Sequence, residues 1–149
     1  MREAINAALK DAMKALDKRR TTTLRLVNAA IKDRDIEARG AGKGPISEEE
    51  MLQLFQKMIK QRQESAQIYA DNNRPELAQQ EREEIEIIGG FLPKQMDEAE
   101  TRSAVQAVVT ELGAQGLKDM GRVMAELKAR HAGKMDFGKA NGVVKQLLT

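Results

Sequence analysis

Apolar residues recur at spacings of three and four along nearly the whole chain, which is the pattern of amphipathic α-helices. The first apolar stripe consists of Ile5, Leu9, Ala12, Met13 and Leu16. A second stripe, Leu24, Val27 and Ile31, follows the threonine run at 21–23, and those threonines are suited to cap its helix. No stretch shows the polar and apolar alternation that marks a half-buried strand. The pattern predicts an all-α protein.

Breaks in the pattern divide the following part of the chain into a third and a fourth helix. The sequence RGAGKGP at 39–45 ends the second helix, because glycine and proline are poor helix formers. Ser47 and Glu50 have the spacing of a capping box, which predicts a long third helix that runs to about Asn72. Pro75 is well placed in the first turn of a fourth helix.

The sequence GGFLP at 89–93 is the best candidate for a domain boundary. Its glycines and proline end the fourth helix, and Asp97 is suited to cap a fifth. Three short amphipathic helices then follow, enough for a small bundle near the lower size limit for independent folding. We therefore predict a hairpin-type bundle of about four helices at 1–92, a linker at 93–96 and a three-helix domain at 97–149.

Composition narrows the possible chemistry. The chain of 149 residues has no cysteine and a single histidine, His131, so neither a thiolate nor a histidine-rich metal site is expected. The loop at 39–45 contains Lys43 but lacks the spacing of a phosphate-binding loop, and no cofactor is expected. With no apolar run of about 20 residues and no secretion signal, we expect a cytosolic protein without a membrane partner.

Charge is distributed unevenly, although the net charge is only +2. Residues 1–39 carry ten basic and six acidic side chains, and residues 117–149 carry seven and three, so each segment has a charge of +4. Residues 47–92 carry five basic and ten acidic side chains, a charge of −5. Such segregation steers a charged partner, although solvated helix faces without a partner produce the same pattern.

Three charged residues interrupt the apolar stripes of the third and fourth helices. The third-helix stripe is Phe55, Ile59, Arg62, Ala66 and Tyr69, and the fourth-helix stripe is Leu77, Glu81, Glu84, Ile85 and Ile88. If the two helices pair antiparallel, Arg62 meets Glu81 or Glu84, which predicts a structural ion pair. Acid-base catalysis by the two carboxylates is disfavoured, because no nucleophile, histidine or metal-ligand set accompanies them.

Two sequence blocks carry a family resemblance that extends over essentially the whole chain. The first is KQRQESAQIYADNNRPELAQQEREEIEIIGGFLPKQM at 60–96, and the second is DMGRVMAELKARHAGKMDFGKANGVVKQLL at 119–148. Their Gln-Arg-x-Glu-Ser, Leu-Pro-x-Gln, Met-Gly-x-Val-Met and Gly-Lys elements resemble the YqeY-like proteins. They also resemble the C-terminal tail of the B subunit of glutamine-dependent tRNA amidotransferase (GatB).

The resemblance implies a stand-alone counterpart of that tail, with tRNA as the expected partner. Glutamine hydrolysis and phosphorylation of the misacylated end belong to other modules of the amidotransferase. Carbon–nitrogen ligase activity would therefore attach to this chain only by family association, and we expect no catalytic residue.

Two helix faces in the C-terminal domain are both smooth and basic. Small residues permit close backbone approach, and the bordering lysine and arginine side chains suit phosphate groups. The glycines lower helix stability, so their presence in these helices requires an explanation. With the resemblance added, the residues that we expect to contact RNA are Lys118, Gly121, Arg122, Lys128, Lys134, Lys139, Gly142 and Lys145.

A protein-interaction module without nucleic-acid binding is the alternative function. The same small-residue faces would accept a helix of a partner protein, and the acidic segment at 47–92 would steer a basic partner. Alanine and lysine are also simply good residues for an exposed helix. Salt dependence separates the two functions, because phosphate binding releases counterions and weakens steeply as salt rises.

Overall fold

The computed structural model describes residues 1–149 and contains seven α-helices and no β-strand, which confirms the all-α prediction. The helices are α1 (Arg2–Lys14), α2 (Lys18–Gly40), α3 (Glu48–Asp71), α4 (Pro75–Gly89), α5 (Glu98–Leu112), α6 (Met120–His131) and α7 (Phe137–Leu148). A single 3₁₀ turn, Leu117–Asp119, precedes α6. None of the helices is long and apolar enough to cross a membrane.

The chain folds as two compact units, each with its own apolar core. The N-terminal unit is Met1–Leu92 and the C-terminal unit is Pro93–Thr149. In the N-terminal unit, α1 packs on α2, and α3 pairs with α4 as a helical hairpin. Phe55 and Ile88 are fully buried in that core. In the C-terminal unit, α5, α6 and α7 pack on one another in all three pairwise combinations around Val105, Leu127 and Val144.

Local capping signals explain where several helices begin. Ser47 and Glu50 form the expected capping box, in which each side chain bonds the backbone N–H of the other residue. Pro75 is the first residue of α4. The Asp97 carboxylate accepts a hydrogen bond of 2.7 Å from the backbone N–H of Glu100. These interactions span only three residues or a single position, so the sequence alone predicts them.

The prediction that the threonine run caps the second helix is wrong. Asp17 caps α2, with its carboxylate accepting from the backbone N–H of Arg20 at 3.1 Å. The threonines therefore lie within the first turns of the helix. Thr23 is buried, and its hydroxyl donates to the carbonyl oxygen of Arg19 at 2.8 Å. An aspartate four residues before the run serves the same capping role and starts the helix earlier.

The first apolar stripe is shorter than predicted. Helix α1 ends at Lys14, and Leu16 lies beyond it with 85% of its side chain exposed. The backbone N–H of Asp17 bonds the carbonyl oxygen of Ala12 at 3.0 Å, which closes the helix with a left-handed residue at Leu16. Met13 is also exposed, at 44%. Only Ile5, Leu9 and Ala12 of the predicted stripe face the core.

Candidate nucleic-acid interface

The C-terminal unit buries one side of α6 and α7 and leaves the other side in solvent. Val123 and Leu127 of α6 and Ala140 and Val144 of α7 are completely buried in the core. Because an α-helix has 3.6 residues per turn, residues two positions from these face outward. The core of this unit therefore determines which sequence positions are available to a partner.

The outward side of α6 carries small residues and a lysine, as the sequence predicts. Gly121, Ala125, Lys128 and Ala129 are all exposed. Lys118 is exposed too, but it lies in the 3₁₀ turn before α6 and not in the helix itself. The small residues form a smooth strip, and the lysines lie at its margins.

Arg122 is partly engaged in holding the unit together. Its guanidinium donates to the Asp119 carboxylate at 3.1 Å and to the carbonyl oxygen of Leu112, the last residue of α5, at 3.3 Å. The Asp119 carboxylate also accepts from the backbone N–H of Gln115 at 3.0 Å. The side chain remains more than half exposed. Arg122 therefore links the start of α6 to the end of α5, in addition to carrying a surface charge.

The outward side of α7 repeats the arrangement of α6. Gly138, Lys139, Gly142 and Lys145 are all exposed. Asp136 caps α7, and its carboxylate accepts from the backbone N–H groups of Gly138 and Lys139 at 2.9 and 3.2 Å. This cap holds the first turn, so the lysines project from an ordered helix.

The helical glycines have no packing partner within the protein. A Cβ atom added at Gly121 or at Gly142 would meet no heavy atom within 4 Å. Gly121 is the second residue of α6, whereas Gly142 lies in the interior of α7, and neither has a positive φ. Glycine in a helix interior costs about 0.5–1 kcal/mol relative to alanine. Internal packing therefore requires neither glycine.

Five exposed lysines of this unit differ from Arg130 in their ion pairing. Lys118, Lys128, Lys134, Lys139 and Lys145 are exposed and form no ion pair. Arg130, in contrast, is paired with the carboxylates of Glu111 and Glu126, which raises its pKa. The lysine ammonium groups are therefore the cations that phosphate oxygens could neutralise.

The turn between α6 and α7 is held by the segment that follows the N-terminal unit. The Gln95 side-chain amide donates to the carbonyl oxygens of Gly133 at 2.7 Å and Pro93 at 2.9 Å. The backbone N–H of Met96 donates to the carbonyl oxygen of Lys134 at 2.8 Å. Gly133 is buried and has a φ of +77°, a conformation that favours glycine. This contact joins the Leu-Pro-x-Gln element to the Gly-Lys element.

Sequence reasoning identified both elements but did not pair them. The glutamine after Leu-Pro was a visible signal, since an amide beside a turn is suited to bond backbone carbonyl groups. Through this contact Gln95 holds Gly133, the residue before Lys134.

His131, the last residue of α6, is half-buried. Burial lowers the pKa of His131, and the neighbouring charges of Arg130 and Lys134 lower it further. No cluster of three or more histidine, cysteine, aspartate and glutamate side chains lies close enough to hold a metal ion.

The predicted charged cluster lies within the α3–α4 hairpin of the N-terminal unit. Arg62 Nε donates to Glu84 Oε2 at 2.9 Å, and Arg62 Nη1 donates to the carbonyl oxygen of Met58 at 3.2 Å. Glu84 is buried. Glu81 has no hydrogen bond to Arg62; burial raises its pKa, and the Glu84 charge raises it further, while the Arg62 charge opposes the shift. The arrangement keeps a buried carboxylate paired.

Comparison with known proteins identifies similar chains. A sequence model of the Yqey-like protein family matches residues 2–148. A protein from Lachancea thermotolerans is 38% identical over 70% of this chain and 55% of its own length. One from Kluyveromyces lactis is 31% identical over 95% of this chain and 72% of its own length. One from Candida glabrata is 32% identical over 56% of this chain and 45% of its own length.

All three relatives are named "Altered inheritance of mitochondria protein 41, mitochondrial". The expectation of a cytosolic protein is contradicted by these names. It rested on the lack of a spanning segment and a secretion signal, and neither property distinguishes the cytosol from a mitochondrion. This chain spans about half the length of the curated relatives from L. thermotolerans and C. glabrata.

Proposed function

Because the chain belongs to the Yqey-like protein family, we propose that it is a tRNA-binding accessory module related to the tail of the tRNA amidotransferase B subunit. The outward sides of α6 and α7 form the proposed contact surface. The observation that carries this proposal is Gly142, an exposed glycine inside a helix that faces open space between Lys139 and Lys145. A glycine at this position costs stability and is explained by close approach of a partner backbone.

An RNA backbone fits this surface better than exposed bases do. Five exposed lysines without ion pairs supply charge for phosphate oxygens. Phe137 is the only aromatic residue of the C-terminal unit, and it packs against the core. Since stacking on single-stranded bases needs exposed aromatic rings, contact by shape and charge along a folded RNA is the proposed mode.

We propose no catalytic step for this chain. Arg62 and Glu84 satisfy each other within the α3–α4 hairpin, which explains their burial without a substrate. Any carbon–nitrogen ligase activity would belong to a complex in which other modules supply the chemistry.

Binding of tRNA by fluorescence anisotropy across a salt series tests the proposal. We expect the wild type to bind with a strong salt dependence, and a variant with Lys118, Lys128, Lys139 and Lys145 changed to Gln to bind much more weakly. The slope of log affinity against log salt should fall by about one per lysine that contacts a phosphate. Arg122 is kept as arginine, because replacing it would remove its bonds to Asp119 and Leu112 together with its charge. A loss of tRNA binding could then not be attributed to the charge alone.

The matched control changes Lys32, Lys43, Lys57 and Lys60, four exposed lysines of the N-terminal unit, to Gln. It removes the same charge and should leave tRNA binding nearly unchanged. Mitochondrial tRNA belongs among the probes, since the relatives are named as mitochondrial proteins. Equal losses in both variants, or no binding by the wild type at low salt, would overturn the proposal.

A further inference from the structure

The turn between α1 and α2 presents an exposed leucine at the end of a helical hairpin. We call residues 13–20 the α1–α2 apex. All residues from Met13 to Lys18 are exposed, and Leu16 is 85% exposed, more than any other large apolar residue of the chain. The α1–α2 apex therefore projects a short apolar side chain into solvent.

Leu16 is an unfavourable residue for the folded chain by itself. Its φ is +55°, in the left-handed region, where helices usually end with glycine. A side chain in that conformation is strained, and this one buries almost no apolar surface in return. Glycine would close α1 more favourably. The leucine is thus not explained by the stability of the N-terminal unit.

Four basic side chains without ion pairs lie within six sequence positions of this leucine. Lys10, Lys14, Lys18 and Arg20 form no ion pair and no side-chain hydrogen bond. The neighbouring carboxylates are Asp11 and Asp17, and Asp17 is occupied with capping α2. Arg19 is paired with Glu83 of α4 and is not counted among the free cations. A partner at this position must be both negatively charged and able to accept an apolar group.

We propose that the α1–α2 apex binds the surface of an anionic lipid bilayer, with Leu16 inserted among the lipid chains and the basic residues at the headgroups. This surface lies in the N-terminal unit, whereas the proposed tRNA surface lies in the C-terminal unit. Our expectation of no membrane partner considered only segments that cross the bilayer.

Two observations favour lipid over a macromolecular partner. A specific protein–protein interface uses roughly 20–30 residues on each side, far more than residues 13–20 supply. An RNA backbone would neutralise the lysines but would leave Leu16 in contact with water and phosphate. A bilayer needs no shaped pocket, accepts one inserted leucine, and is attracted to clustered lysine and arginine.

Co-sedimentation with lipid vesicles tests the proposal on the full chain. We expect the wild type to bind vesicles of phosphatidylcholine mixed with phosphatidylserine and not vesicles of phosphatidylcholine alone. The Leu16→Gly variant should bind about tenfold more weakly, because an inserted leucine side chain is lost. Its melting temperature should rise, because glycine relieves the left-handed strain. Weaker binding together with higher stability cannot result from misfolding.

A fluorescent variant reports insertion directly, because the chain contains no tryptophan. Leu16→Trp should shift its emission to the blue with anionic vesicles, whereas Leu117→Trp, at an exposed leucine of the C-terminal unit, should not. The same variants are then tested for tRNA binding, which should not change. Undiminished vesicle binding by Leu16→Gly, or no blue shift from Leu16→Trp, would overturn the proposal, as would an effect confined to tRNA binding.

Discussion

At the scale of single residues, the most informative group is the charged trio in the α3–α4 hairpin. Arg62 bonds the buried Glu84, and Glu81 lies close enough that both charges act on it. One guanidinium is hydrogen-bonded to only one of two carboxylates, so the other is left poorly compensated. Burial and the Glu84 charge raise the pKa of Glu81, which means that folding disfavours its ionised form.

Glu81→Gln should increase the stability of the N-terminal unit at neutral pH. The neutral amide removes the cost of burying an ionised carboxylate next to Glu84. Because the folded-state pKa of Glu81 is raised, the penalty is complete above that pKa. It disappears as pH falls below the unfolded value of about 4.3. Urea unfolding at neutral and acidic pH measures the difference between variant and wild type.

Glu86→Gln is the control for this prediction. Glu86 lies on the same helix, is exposed and forms no ion pair, so its replacement should change the urea midpoint little at either pH. A Glu81 variant that is less stable than the wild type at neutral pH would show that Glu81 makes a favourable contact instead.

At the scale of elements, α7 combines a buried apolar side with an exposed side that contains a glycine between lysines. Ala140, Val144 and Leu148 bury one side, and Gly142 faces open space on the other. An isolated helix with such a glycine is weakened, yet the packed side compensates through tertiary contacts. Helix α7 therefore tolerates Gly142, which contributes no packing contact within the protein.

Gly142→Ala should separate stability from tRNA binding. Helix propensity predicts that the free energy of unfolding rises by about 0.5–1 kcal/mol, since the added methyl group meets no other part of the protein. If an RNA backbone approaches this position closely, tRNA affinity should fall severalfold in spite of the gain. Thermal unfolding and anisotropy on the same sample measure the two effects.

Gly40→Ala, at the end of α2, provides a comparison at another glycine facing open space. Its tRNA affinity should equal that of the wild type. Unchanged tRNA affinity in Gly142→Ala would argue that no backbone approaches α7 at this point.

At the scale of the whole molecule, the chain carries two separate cores. The core of the C-terminal unit is formed only by residues between Met96 and Leu148. Its turn is also closed from within the unit, by the bonds of Gln95 to Gly133 and of Met96 to Lys134. Residues 93–149 therefore contain an apolar core and a closed turn of their own.

A fragment of residues 93–149 should fold by itself into a helical unit. We expect a far-UV circular dichroism spectrum of a helical protein and a cooperative thermal transition, with a stability of about 3–5 kcal/mol. Gln95→Ala in the fragment should lower the melting temperature, because the Gly133 carbonyl loses a partner. A fragment without helical signal or cooperative melting would show that the unit depends on the N-terminal helices.

The sequence by itself determined the all-α class, several of the helix caps and the family. Ser47, Pro75 and Asp97 act on backbone groups of their own first helical turn, so their effects are readable from spacing. Apolar periodicity likewise identified which residues could face a core. Where two local signals competed, as with Asp17 and the threonine run, spacing alone selected the wrong cap.

Only the tertiary structure decided which surface residues are free and which are engaged. The bond from Gln95 to Gly133 joins residues 38 positions apart, and that from Arg122 to Leu112 depends on how α6 meets the end of α5. The exposure of Leu16 follows from the closure of α1 onto α2, not from the apolar character of leucine. Such contacts arise from packing between elements, and a one-dimensional pattern records only the positions within each element.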